Sequence, residues 1–471
     1  MTLPTAGPAP QTGDQSRSTP LTSPALVAAV LGFFVVTLDA VIVNVALPSV
    51  RADLGGGVAG LQWVMDGYTL TFAALLLTAG SLGDRLGARR AFGIGMTVFV
   101  IASVACGLAP SLPWLVAARV AQGAAAAMMM PSSMALIRQT FPEPRQRARA
   151  VGVWAMGGAL ASTSAPLLGG LLSTVGWRLI FLVNVPVGAV ALGALLRSER
   201  SPRRTSPIDV AGQVTAVLAM GGLAYGAIEA GALGVTAAPV VAAFFVAVVA
   251  TALFVVVERR VHHPMVPLEL FRNRPVSISL AAGFAFMVGY YGLPFVVSLL
   301  LQQERGFTPL ATGLVFLPMM VAGAALTPFS ARAAERWGRR AMLASGLALM
   351  AVDLVVVGLA APTAPAWLLG LLMVPLGVGG PLVSPTATAV LLDAVPGRSV
   401  GTASGVFNTS RQLGGALAIA VFGGLLAVPG SFVAGARISL VLGALVLAAA
   451  AMTSLQLARD RLPPAGPQER P

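Results

Sequence analysis

The sequence predicts an all-α, polytopic membrane protein with fourteen transmembrane helices. Three observations carry that prediction. Of 471 residues, 56% are hydrophobic and only 10% charged, where soluble domains carry about 25% charged. Fourteen apolar segments of 18 to 26 residues follow one another, and about 20 residues at ~1.5 Å each cross a bilayer core. The stretch Gly80–Arg90, after the second segment, is echoed by Ser330–Arg340, after the tenth, at an offset of 251 residues.

The same composition removes several classes. Cys106 is the single cysteine, so neither a disulfide framework nor a cysteine metal cluster can form. The two histidines, His262 and His263, are adjacent and lack the helical spacing of an intramembrane metallohydrolase. All 30 basic residues are arginine. Without lysine there is neither a Walker phosphate loop nor a Schiff-base lysine. The net charge of +13 falls in short loops and reads as membrane orientation rather than nucleic-acid binding.

In chain order, residues 1–24 are rich in Pro, Thr, Ser and Gly and read as a disordered tail without a signal peptide's apolar core. The segments then run 26–47, 61–80, 91–109, 112–136, 150–172, 179–196, 210–229, 238–257, 276–301, 310–329, 341–360, 366–390, 401–426 and 437–458. With the N-terminus inside, the cytoplasmic loops and tails hold 24 arginines and the opposite loops four. That asymmetry predicts cytoplasmic termini and a cytoplasmic tail over 459–471.

The first segment, Leu26–Leu47, carries Asp39 well inside. A carboxylate at that depth costs ~3 kcal/mol or more unless paired, hydrated or protonated. It is either a structural group satisfied by a neighbouring helix or a protonatable group on a transport pathway. In the fourth segment, Arg119 counts to the same depth, about 10–12 Å from the outer end, so the two can pair. Snorkelling to the interface is the alternative for Arg119. Asp66 enters the second segment between Trp63 and Tyr68, which reads either as an interfacial acid in an aromatic belt or as a functional one. Asp353 and Arg411 lie in the eleventh and thirteenth segments.

In the repeat, Asp84 aligns with Glu335, Arg85 with Arg336, Gly87 with Gly338 and Arg89 with Arg340, as two parallel halves of a transporter would give. The Gly80–Arg90 loop resembles the signature loop of the major facilitator superfamily, degenerate in the second half. The usual plan repeats after six spans, and here the repeat comes after eight. The resemblance therefore implies two six-helix halves, 25–197 and 259–458, with two added spans in 198–258, as in the fourteen-span drug:proton antiporter branch. Leu38–Pro48 and Trp177–Gly188 match the same branch.

The resemblance implies a role for each motif. Gly80, Asp84, Arg85, Gly87 and Arg89 would form a charge latch that breaks during alternating access, beside the plainer reading of a turn with topology-setting charge. Arg119, with Asp39 and Asp66, would couple protons. Gly152, Gly157, Ala161, Ala165, Pro166, Gly169 and Gly170 resemble the antiporter helix strip, with alanine where two glycines are expected, and a generic packing strip fits them equally. The implied function is proton-coupled export of small, largely apolar compounds across a bacterial cytoplasmic membrane. Its partners would be a small-molecule substrate, protons and the bilayer, with no cofactor, no metal, no nucleic acid and a monomer as default. A symporter for a metabolite is the alternative within transport, and a membrane enzyme or receptor the alternative outside it.

Overall fold

A computed structural model describes residues 22–202, 209–261, 264–396, 400–428 and 430–457. Most of both predicted tails and the histidine pair lie outside the described residues.

The regular structure among the described residues is helical, without strands. The helices of the first half are α1 (Pro24–Leu54), α2 (Gly57–Leu86), α3 (Ala88–Gly107), α4 (Leu112–Thr140), α5 (Pro144–Val175), α6 (Leu179–Leu182) and α7 (Asn184–Leu196). Then come α8 (Val210–Leu233) and α9 (Ala238–Arg260). The rest are α10 (Arg274–Leu299), α11 (Pro309–Leu326), α12 (Ser330–Trp337), α13 (Arg339–Ala360), α14 (Ala366–Leu372), α15 (Val374–Asp393), α16 (Val400–Leu426) and α17 (Phe432–Ser454).

Local chemistry sets several of these limits. Ser23 accepts from Leu26 N at 3.4 Å and Pro24 opens α1, a side-chain cap followed by proline where its missing N–H costs nothing. Asp209 caps α8 in the same way, accepting from Gly212 N at 2.7 Å. Pro186 cannot donate to Leu182, and the segment from Leu179 to Leu196 is broken there into α6 and α7.

Twelve helices or helix pairs among the described residues are long and apolar enough to cross a membrane. The expected segments 61–80 and 401–426 fall on α2 and α16, which run 30 and 27 residues but stand outside that set. Gln62, Asp66 and Thr69 in one, and Asn408, Arg411 and Gln412 in the other, dilute their hydropathy.

Burial separates the centre from the rim. In α10, 89% of the most apolar stretch is buried, and in α1, 67%; in α8 and α9 the figures are 17% and 22%. Phe245 and Val248 of α9, like Ile101 of α3 and Leu445 of α17, are exposed, as lipid-facing side chains are. α8 and α9 pack on each other, and α8 lies against both α2 and α16. The two larger sets of helices meet where α2 packs on α16 and α5 on α11.

The repeat recurs in backbone geometry. Gly87 has φ 83° and ψ 137° between α2 and α3, and Gly338 has φ 80° and ψ 148° between α12 and α13. Both positions lie in the left-handed region that glycine tolerates. At Gly87 a Cβ would also meet the Ser201 carbonyl at 2.9 Å.

Hydrogen bonds between the two sets concentrate at the arginine-poor end. Ser298 Oγ donates to Asn44 O at 2.9 Å, Gln302 Nε2 to Val45 O at 3.0 Å and Arg51 Nη1 to Gln303 Oε1 at 2.9 Å. Gln62 Nε2 donates to Ile419 O at 3.0 Å and Ala420 O at 2.6 Å. Toward the arginine-rich end such bonds among the described residues are few and long: Thr409 Oγ1 to Ala73 O at 3.4 Å and Thr78 Oγ1 to Met265 Sδ at 3.5 Å.

Candidate functional site

A polar cluster fills the middle of the first half. Asp39 of α1 and Arg119 of α4 are both fully buried and form an ion pair. The other carboxylate oxygen, Asp39 Oδ1, accepts from Asn184 Nδ2 of α7 at 2.9 Å and from Gln122 Nε2 of α4 at 3.2 Å. Ser103 Oγ of α3 accepts from the same two amides, at 3.3 and 2.8 Å. Arg119 Nε donates to Val64 O of α2 at 2.9 Å, and its Nη1 to Gln122 Oε1 at 2.9 Å. The guanidinium carbon lies 4.4 Å from the Tyr68 ring centroid and 5.7 Å from that of Phe181. Five helices thus meet in one cluster, and α4 and α7 bond the α1 carboxylate directly.

A buried pair stands only when its remaining donors and acceptors are met. Here they nearly are: Arg119 Nη2 has no partner, and the aromatic faces of Tyr68 and Phe181 offset part of that desolvation. The α6–α7 break places Asn184 at the start of α7, where its side chain reaches Asp39.

The aromatic-belt reading of Tyr68 and Asp66 is corrected. Tyr68 is fully buried and donates to Val36 O at 3.0 Å, because α2 turns that face toward α1 and α4 rather than the interface. Asp66 is also fully buried, away from the Asp39 cluster. Its Oδ1 accepts from Thr69 Oγ1 at 3.2 Å, and Oδ2 has no partner. Trp63 donates to Glu229 Oε1 of α8 at 2.9 Å, a contact between residues 166 positions apart that neither segment foreshadows.

The loop residues sit together at the arginine-rich end. Arg89 donates through Nε to Leu195 O at 3.1 Å and through Nη2 to Leu196 O at 2.9 Å. It caps the C-terminus of α7 within its own half. Asp84 is exposed and makes no ion pair among the described residues. Arg85 is exposed as well, and a Cβ at Gly80 would meet open space.

Along α5, Ala161, Ala165 and Gly169 are buried against α1, where a Cβ on Gly169 would meet Ile42 O at 2.8 Å. A Cβ on Gly157 would come to 2.8 Å from Val30 Cγ1. Pro166 and Gly170 face α11 instead: a Cβ on Gly170 would come to 2.8 Å from Pro309 O. Gly152 does not belong to the strip, since it is exposed and nothing lies within 4 Å of its Cβ position. Small residues here let two helices approach α5 on adjacent faces.

Comparison with known proteins gives a consistent set. Residues 29–419 match the family described as the Major Facilitator Superfamily. The multidrug resistance protein Stp of Mycobacterium tuberculosis is 38% identical over 408 residues, covering 85% of this chain and 75% of that one. The methylenomycin A resistance protein of Streptomyces coelicolor is 37% identical over 417 residues, 88% of each chain. The tetracenomycin C resistance and export protein of Streptomyces glaucescens is 37% identical over 412 residues, 86% of this chain and 76% of that one. Among solved structures, a bacterial homologue of the human lysosomal transporter Spinster, described as inward-facing and unoccupied, superposes with a TM-score of 0.63 at 19% identity. That match covers 93% of this chain and 97% of the other and concerns the fold alone.

Proposed function

The chain belongs to the Major Facilitator Superfamily, and from that premise we propose that it exports small, largely apolar compounds, antibiotics among them, in exchange for protons. It is a multi-pass membrane protein. Relatives named for multidrug, methylenomycin A and tetracenomycin C resistance support the direction and the substrate class. The observation that carries the coupling is the buried Asp39–Arg119 pair, held by Gln122 and Asn184. Protonating Asp39 would release Arg119 from its counter-ion. A substrate-loaded and a proton-loaded chain would then favour different arrangements of the halves, which exchange requires.

In this reading α2 and α16 complete a set of fourteen spans, and α8 and α9 are the two additions between six-helix halves. With both termini cytoplasmic, the sealed arginine-poor end faces outward and the conformation is inward-facing. The deciding experiment is efflux from vesicles under an imposed pH gradient, preceded by a susceptibility panel in a host lacking efflux pumps. No gain of resistance to any compound, at confirmed membrane abundance, would end the proposal.

Two further results are expected. In a chain with Cys106 replaced, a cysteine at Val235, exposed between α8 and α9, should react with an impermeant maleimide in intact cells. One at Glu143, exposed between α4 and α5, should react only after permeabilisation; the reverse pattern overturns the orientation. Asp84→Asn should insert at wild-type abundance but transport more slowly, as loss of a latch charge predicts. Wild-type rates would reduce the loop to a topology signal.

A further inference from the structure

The second half carries an arginine whose surroundings differ from those of Arg119. Arg411 lies near the middle of α16, and its guanidinium carbon is 5.8 Å from the ring centroids of both Phe286 and Phe407. Its stem packs on α10, where a Cβ on Gly283 would come to 3.0 Å from Arg411 Cγ. Nε is buried without a hydrogen-bond partner. Among the described residues no carboxylate pairs with it. Tyr290 continues the aromatic wall, stacked on Phe286 at 5.3 Å, with Tyr291 edge-on to Tyr290 at 6.2 Å.

Its height in the bundle matters. Ile419, whose carbonyl closes the seal with Gln62, is eight residues further along α16, about 12 Å toward the arginine-poor end. Arg411 therefore sits on the unsealed side, at the level of the Thr409–Ala73 contact between the halves. A guanidinium inside a membrane protein stays charged, and this one, part-buried as a residue, is left with water or an arriving anion as its partner. Ring faces attract a cation more weakly than an anion does and do not replace one. Arg119 has its carboxylate built in; Arg411 does not.

We propose that the counter-ion of Arg411 is the transported compound itself: an aromatic or otherwise apolar molecule bearing one acidic group, a carboxylate or enolate, bound as the anion. The acid meets the guanidinium through charge-assisted hydrogen bonds, and the apolar body lies against Phe286, Phe407 and Tyr290. This rests on the export reading above and adds to it the charge of the cargo.

The test measures binding to the purified full chain in detergent, with 9-anthracenecarboxylate, its methyl ester and 9-anthracenemethylamine as probes. The acid should bind at least about tenfold more tightly than ester or amine, a difference of ~1.4 kcal/mol. Arg411→Gln should erase that preference, bringing acid, ester and amine to similar affinities, while Arg411→Lys should keep part of it. Equal affinities for acid and ester in the unaltered chain overturn the proposal, as does absence of acid binding or an acid preference that survives Arg411→Gln. The unaltered chain and Arg411→Lys keep the test decisive if Arg411→Gln fails to fold. The two readings fail separately. Arg411-dependent acid binding without gradient-driven movement of any compound would remove the export reading and leave this site. Export confined to cations and neutral compounds, with no acid preference, would do the opposite.

Discussion

Asp39→Asn is expected to destabilise the protein and abolish gradient-driven transport, and adding Arg119→Gln is expected to restore stability without restoring transport. The single change leaves Arg119 fully buried without its counter-ion, and breaking a buried pair from one side costs ~3–5 kcal/mol. It also sets an amide NH2 where Asp39 Oδ1 or Oδ2 now accepts from Asn184, Gln122 or Arg119, so at least one donor faces another. In the double variant the uncompensated charge is gone, and two amides can hydrogen-bond each other. Thermal unfolding in detergent, read as a double-mutant cycle, should therefore show strong coupling between the positions. Transport should stay at background, because the carboxylate proposed above to accept the proton is absent from both variants. Undiminished pH-driven efflux by Asp39→Asn would move coupling elsewhere, with buried Asp66 next in line.

The second large effect is a reversible block. A Cβ built on Gly423 falls 2.5 Å from Gln62 Cγ. Cysteines at the two positions would then have Cβ atoms no more than about 4 Å apart, within the range a disulfide spans. In a chain with Cys106 replaced, Gln62→Cys with Gly423→Cys should cross-link under mild oxidation and stop transport almost completely. Reduction should return it. The single variants should be insensitive to oxidant, and full activity of the cross-linked chain would mean that the α2–α16 seal never opens.

How much of this was legible beforehand depends on what a single helix can reveal. Asp39 and Arg119 could be matched because each depth follows from counting 1.5 Å per residue along a straight span, and ionisable groups inside a span need partners. Their companions were less visible. Asn184 lies inside the Trp177–Gly188 match and Gln122 one helical turn beyond Arg119, but Ser103 is a lone hydroxyl in an apolar run, and nothing in its own sequence marks it. Asp66 and Tyr68 mislead because a belt position and a buried face have the same residues at the same depth; only the packing tells them apart. α1 and α4 cover Tyr68, and α8 and α16 cover the face of Gln62 and Leu70 on which Asp66 lies. Gly152 was grouped with the strip by composition, although the four-residue face begins at Gly157. Arg89 read as one loop charge among several, and its capping of α7 needs a helix end that lies over a hundred residues away. The turn at Gly87 was the opposite case. A glycine repeated at the same offset as its flanking charges foretold the same positive φ at Gly338.

The seal at the arginine-poor end constrains substitution unevenly. Four of its hydrogen bonds end on main-chain carbonyls: Asn44 and Val45 of α1, and Ile419 and Ala420 of α16. A carbonyl is supplied by whatever residue occupies the position, so substitutions at these acceptors leave the closure chemistry in place. The donors are side chains, and just three of them, Gln62, Ser298 and Gln302, serve all four bonds. Changes of side chain at Asn44, Val45, Ile419 and Ala420 therefore leave these four acceptors in place, while a change at Gln62, Ser298 or Gln302 removes a donor, and at Gly423 any side chain would press on Gln62. Through these bonds the closed end is thus held by the identity of three side chains and by the mere presence of four peptide units.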